Sequence, residues 1–167
     1  MVSNGKKTEG AFYPAEPLIP HSRRMKLIEW VAPKDDGLRA ETTVLEGWPL
    51  FQEGKVSSLI GIELVAQAIS ALSTWSRGTG AKAHLGLMVG VKEVEFINFY
   101  IPVGTRLRIH IKKLYHVGGY AVFEGAVDSD SNSFCKMVIQ VLEPEDQVLA
   151  NLLTGPKNIN GEKGKKD

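Results

Sequence analysis

The stretch "SSLIGIELVAQAISALSTWS", Ser57 to Ser76, is apolar or small at nearly every position and carries a single ionisable side chain, Glu63. Its length and spacing read as a helix, with Ser57 or Ser58 able to cap the N-terminus by accepting a backbone N–H. Glu63, Gln67, Ser70 and Thr74 follow at spacings of four, three and four, so they share one helical face. One reading makes this stripe the solvent side. A solvated face usually carries several charges of both signs, however, and this one holds Glu63 alone. The other reading puts the carboxyl in a mostly dry cleft near the helix start. Burial favours the neutral acid, which suits a group that must both accept and donate a proton. The free N–H groups of the first turn, around Ser58 and Leu59, would then polarise a carbonyl oxygen. A carboxyl beside such donors fits chemistry on an acyl group.

A second proton-moving group is harder to find. The four histidines are His21, His84, His110 and His116, and none lies between His21 and His84. His84, His110 and His116 read as strand-end or wet-face residues. His21, in "LIPHSRRMKLIEWV", is either a chemical partner for the helix or a structural tie for the N-terminal segment. The lone cysteine, Cys135, sits in the strand-like run "SFCKMVIQVLEP" and reads as a small packed hydrophobe. It excludes a disulfide framework and points to a reducing compartment. No histidine and cysteine spacing suggests a metal site, and no cofactor is expected.

The elements around the helix must position these groups. "MKLIEWVAP", Met25 to Pro33, reads as a first strand and "LRAETTVL" as a second, separated by the turn signal "KDDG". "EGWPLFQEGKV" reads as a loop leading to the helix. Past the breaker "RGTGAKA", "LGLMVGVKEVEFINFY" reads as one long strand, Leu85 to Tyr100, punctuated by "IPVG". "TRLRIHIKKLYH" alternates strictly, with Leu107, Ile109 and Ile111 on one face and Arg106, Arg108, His110 and Lys112 on the other. Gly118–Gly119 is a hairpin signal into "YAVFEGAVDS", and "DSDSNS" is a turn before "FCKMVIQVLE". Two strands, one apolar helix and three or four antiparallel strands make an α+β domain, with the sheet wrapped around the helix.

One domain is expected over residues 17–144, after a flexible segment 1–16 and before an extension 145–167 ending in a polar tail. A formal net charge of +1 predicts no strong attraction to nucleic acid or an anionic membrane. The polar start and the lack of a long apolar run point to a soluble, cytoplasmic protein without a membrane span.

"IELVAQA" in a helix after two strands resembles the central helix of the hotdog-fold 3-hydroxyacyl-ACP dehydratases. "LIPHSRRMKLIEWV" is similar to that family's lead-in to its first strand, and "VKEVEFINFYIPVGTRLRIHIKKL" to its long strand, Pro-x-Gly turn and next strand. The likeness covers roughly residues 17–144 and is nearest the predicted dehydratases of aryl-polyene-type biosynthetic clusters. It implies dehydration of 3-hydroxyacyl thioesters on acyl carrier protein or coenzyme A. It also implies a homodimer, or a heterodimer with another hotdog subunit, joined through the long strand. Glu63 falls on the family's helix carboxylate, Gln67 on the glutamine one turn later, and Leu59 where a backbone N–H meets the thioester carbonyl. The family's histidine, on the loop before the helix, falls on Pro49 here. His21 is then the nearest substitute by motif, with Arg23 and Arg24 beside it to meet the carrier's phosphate or acidic surface. Two rivals remain open: a hotdog thioesterase that needs only the carboxylate, and a silent subunit that binds acyl chains or supports an active partner.

Overall fold

The computed structural model describes residues 11–21, 23–34, 36–78 and 86–143. The expected C-terminal extension and His84 lie outside the described residues. In chain order the elements are β1 (Tyr13–Pro14), β2 (Trp30–Lys34), β3 (Gly37–Thr43), β4 (Phe51–Gln52), β5 (Lys55–Ser57), the helix α1 (Ile60–Ser76), β6 (Leu87–Phe96), β7 (Tyr100–Pro102), β8 (Arg106–Val117), β9 (Tyr120–Asp128) and β10 (Ser133–Leu142). Among the described residues one antiparallel sheet runs β1-β2-β3-β8-β9-β10-β6, and β4, β5 and β7 form a small second sheet. The large sheet wraps around α1, which is the hotdog arrangement of an α+β domain.

Alternation along β8 decides which face meets the helix. Leu107, Ile109 and Ile111 are buried, while Arg106, His110 and Lys112 are exposed. On α1, Leu64, Val65 and Ala68 are fully buried, and each large apolar side chain so placed contributes about 1.5–3 kcal/mol. Two glycines let the layers approach. A Cβ on Gly125 of β9 would come within 2.5 Å of Val65 Cγ1. One on Gly61 of α1 would collide with the Sγ of Cys135 on β10. The Gly118–Gly119 turn behaves as its sequence demands: both residues have positive φ, 55° and 81°, and Val117 pairs with Tyr120 across it.

Several expectations are corrected. The first strand does not begin at Met25. Arg23–Met25 forms a 3-10 turn, and the β2 ladder starts at Trp30, opposite Glu41. The backbone between is held differently, as the site below explains. Residues 13–16 are not a loose segment: Tyr13 pairs with Val31, and Ala15 is fully buried. The run from Leu85 to Tyr100 is not one strand. Ile97 and Asn98 both donate their N–H to the carbonyl of Phe134, which turns the chain out of the large sheet, and Tyr100 then pairs with Ser57 in the small one. The stretch read as a plain loop before the helix contains the β4–β5 hairpin, closed by Glu53 (φ 50°) and Gly54 (φ 77°).

Candidate active site

Ser57 and Ser58 do not cap α1 as expected. Leu59 occupies the N-cap position in a helical conformation, and no side chain caps the helix there. The Ser58 hydroxyl instead donates to the carbonyl of Asn98, and the Ser58 N–H donates to the carbonyl of Phe99. Ser58 therefore has no N–H to offer a ligand. Gly61 and Ile62 donate to the carbonyls of Ser58 and Leu59. The Leu59 N–H has only a long contact with Ser57 Oγ, 3.4 Å, on an exposed residue. Of the two expected donors, Leu59 is the one left open.

Asn98 was not legible as a site residue. It accepts from Ser58 and donates through Nδ2 to the carbonyl of Ser133 at 2.7 Å. That fixes the start of the helix against the start of β10. The only signal in the sequence is a lone amide inside the apolar run "EFINFY".

One turn into α1, Glu63 is partly exposed, and its Oε1 gathers two neighbours. Gln67 Nε2 donates to it at 2.8 Å, and His21 Nε2 lies 3.1 Å away. The side chains of His21 and Glu63 keep 30% and 29% of their exposure, so both are partly open to solvent. The contact joins two groups that can each donate or accept a proton. The Nδ1 of His21 is shielded from solvent and has no hydrogen-bond partner among the described residues.

The stripe of four polar residues is not a solvent face: Gln67 and Thr74 are fully buried. Every polar atom of Gln67 is engaged by protein. Its Oε1 accepts the N–H of Leu27 at 3.0 Å, and its Nε2 donates to the carbonyl of Met25 at 2.5 Å as well as to Glu63. Thr42 Oγ1 on β3 donates to the carbonyl of Leu27 at 2.5 Å. Residues 25–27 are thus bonded to a helix side chain rather than to a neighbouring strand, which is why β2 starts late. The same bonds hold the His21 segment over Glu63. Gln67 thereby bridges the helix and the 25–27 segment.

Pro49, at the position of the family's usual histidine, is followed by Leu50 with φ 62°, a conformation leucine seldom adopts. His110 lies on the outer face of the sheet, where burial lowers its pKa from the ordinary value, opposed by Asp128. His116 is exposed near the end of β8. Neither reaches the cleft. Cys135 is buried and its thiol is pushed up to about 12 by desolvation, as befits a packed hydrophobe. Among the described residues no cluster of histidine, cysteine and carboxylate could hold a metal ion, and no helix is long and apolar enough to cross a membrane.

A model of the ApeP-like family, described as ApeP dehydratase, matches residues 13–153. The dehydratase heterocomplex ApeI:P from Xenorhabdus doucetiae has a chain 24% identical, covering 86% of this chain and 99% of that one, with a TM-score of 0.75. An uncharacterised protein of Pyrococcus horikoshii, PH1136, is 17% identical over 82% of this chain and 98% of that one, with a TM-score of 0.60. A hypothetical thioesterase of Streptococcus pneumoniae, solved with coenzyme A, is 13% identical over 70% and 88%, with a TM-score of 0.56. At these identities the structures speak for the fold alone. No curated protein matches the sequence.

Proposed function

The chain belongs to the ApeP-like dehydratase family, and we propose that it removes water from 3-hydroxyacyl thioesters carried on acyl carrier protein, with His21 and Glu63 moving the protons. The observation that carries this reading is the 3.1 Å approach of His21 Nε2 to Glu63 Oε1. β-Elimination takes one proton from the α-carbon and returns one to the departing β-hydroxyl. The His21 imidazole accepts the α-proton at Nε2, the nitrogen that faces Glu63. The Glu63 carboxyl, in its acid form, gives its proton to the departing hydroxyl, and the Nε2 proton of the imidazolium then crosses the 3.1 Å contact to restore it. The C–O bond breaks, water leaves, and the two electrons of the former C–H bond become the new double bond. The protein gains and loses no net proton. The Leu59 N–H is the donor available to the thioester oxygen as negative charge builds there.

The carrier and partner belong to the same proposal. Arg24 is exposed beside the His21 segment and suits a phosphate or an acidic carrier surface. β6 borders the large sheet with its outer edge unpaired among the described residues, and Met88, Val89, Val91 and Val94 on it are exposed. An open edge with these exposed apolar side chains, interleaved with Lys92, Glu93 and Glu95, can accept a further strand. The dehydratase heterocomplex among the similar structures supports another hotdog subunit as the partner.

The test is incubation with a 3-hydroxyacyl carrier-protein thioester, followed by mass analysis of the carrier. Loss of one water with the acyl group retained is the expected result. A thioesterase likeness favours a second reading, in which Glu63 activates water against the carbonyl. Free carrier thiol appearing without dehydration would replace the first reading with this one. An unchanged acyl carrier, with folded protein, would defeat both.

A further inference from the structure

On the face of the large sheet turned away from α1, the side chains of β8, β9, β10 and β6 stand in two rows across the strands. Pairing aligns His110, Ala126, Lys136 and Glu95 in one row, and Lys112, Glu124, Val138 and Glu93 in the next. The small side chains of Ala126 and Val138 floor a groove of about 540 Å3, and the charged ones stand around it. Lys112, Glu124, Lys136, Glu93 and Glu95 are all exposed, and among the described residues none of them makes an ion pair. Opposite charges that adjoin across the strands, Lys112 with Glu124 and Lys136 with Glu95, therefore do not meet within the chain. The sign of the charge also changes across the face. β8 presents His110 and Lys112, and β6, three strands away, presents Glu93 and Glu95.

We propose that this face binds the same face of a second copy of the chain, related by a twofold axis that runs parallel to the strands between β9 and β10. Such an axis lays β8 of each copy over β6 of the other, and β9 over β10. His110 then faces Glu95 of the second copy and Lys112 faces its Glu93, and the symmetry makes each contact twice. Lys136 falls over Ala126 and Glu124 over Val138, so a long side chain meets a smaller one at the remaining positions. Packed sheets lie about 10 Å apart, a gap that a lysine from one side and a glutamate from the other fill together. An axis across the strands would instead set β8 on β8 and β6 on β6, like charge upon like, so the charge pattern selects the first arrangement. The backbone edge of β6 takes no part, and the contact is separate from the edge pairing proposed above. Because α1 lies on the other side of the sheet, the His21–Glu63 pair of each copy stays on the outside of the assembly.

The test is sedimentation of the full chain and its charge-reversal variants. Lys112 and Glu93 are exposed, so the fold tolerates a change at either. Lys112→Glu sets two carboxylates against each other at two symmetric places, and should weaken self-association at least about tenfold. Glu93→Lys should do the same. Combined in one chain, the two changes swap the pair and should bring association back to within about threefold of wild type. Lys112 is three strands from the open edge of β6, so edge pairing predicts neither its effect nor the rescue. Raising the salt from about 0.05 to about 0.5 M should act like a single reversal. Carbodiimide coupling of mixed unlabelled and isotope-labelled protein reads the position directly. Within one chain Lys112 and Glu93 are three strand spacings apart, about 14 Å, so a direct amide between them has to join two chains, and mass analysis should find it half-labelled. Self-association unchanged in Lys112→Glu, a double variant no better than either single one, or wild type that stays monomeric at high micromolar concentration in low salt overturns the proposal.

Discussion

The side-chain oxygen of Gln67 accepts the backbone N–H of Leu27 at 3.0 Å, joining the helix to a segment forty residues earlier in the chain. With its donors on Met25 and Glu63, this one amide holds both halves of the cleft. Gln67→Ala leaves the buried N–H of Leu27 unpaired and frees the carbonyl of Met25, and should lower stability by about 1–3 kcal/mol. Because the His21 segment loses its anchor, dehydration should fall further than the folded fraction does. Parallel denaturant melts and initial rates measure the two losses. A rate that tracks the folded fraction alone would mean that His21 is held by other contacts.

Glu63→Gln keeps the shape of the side chain and removes its capacity to carry a proton. Turnover should fall at least about a hundredfold, the scale for a lost general acid or base, while the melting temperature stays within a few degrees of wild type. His21→Ala should likewise lower dehydration much more than stability. Unaltered turnover per folded molecule in His21→Ala would make the histidine structural and move the assignment towards the carboxylate-only thioesterase. Full activity of folded Glu63→Gln would remove the helix from the chemistry altogether.

Much of this arrangement was open to reading because it depends on local chemistry. The alternation from Arg106 to Lys112 sets the inner and outer faces of β8, and Gly118–Gly119 needs only its own positive φ values to make a hairpin. A helix as apolar as α1 has to be covered. What escaped the reading depends on contacts distant in sequence. Nothing local to "MKLIE" says that its backbone will bond Gln67 instead of a strand, so β2 was expected five residues early. Ser58 has the right side chain for a cap, yet the carbonyl of Asn98 competes for its hydroxyl and prevails. His21 could be suspected only through the motif around it. Its approach to Glu63 is created by the Gln67 bridge, a tertiary feature without a sequence period.

The outer edge of β6 gives a prediction about assembly. Val89 and Val91 are exposed on a strand whose far edge has no partner among the described residues. Lysine on such an edge opposes strand addition, since joining a second sheet would confine its charge. Val89→Lys with Val91→Lys should weaken association at least tenfold in sedimentation experiments, while the circular dichroism of the domain is retained. Wild type that remains monomeric at micromolar concentration, both alone and with a second hotdog subunit, would defeat the proposed edge-to-edge pairing.

Gly61 carries the closest approach between helix and sheet. A methyl group there would run into Cys135 Sγ, with Val127 Cγ2 at 3.5 Å and Met137 Cε at 3.7 Å leaving little room to move. Gly61→Ala should therefore destabilise by about 1–3 kcal/mol through overpacking, although alanine is the better helix former. Cys135→Ala removes the colliding sulfur, so the double variant should recover part of that loss. A double-mutant cycle on melts reads the coupling. Strictly additive effects would show that the two positions do not share this space.

Cys135 also makes stability depend on alkaline pH. Burial pushes its thiol up to about 12 from an ordinary 9.0, so the folded state resists ionisation that the unfolded chain allows. The folded pKa is the higher one, and the unfolded state sheds its proton first as pH rises. The stability tied to the neutral thiol is therefore whole below pH 9.0 and is lost as pH climbs through about 12. Melts of wild type across that window should slope downward more steeply than those of Cys135→Ala, whatever the offset from the cavity the variant leaves. The same burial withholds the thiolate that reacts with alkylating agents. Iodoacetamide at neutral pH should label the native protein far more slowly than the denatured one. Rapid labelling of the folded protein, or parallel alkaline slopes in wild type and variant, would show that the thiol is reached without unfolding.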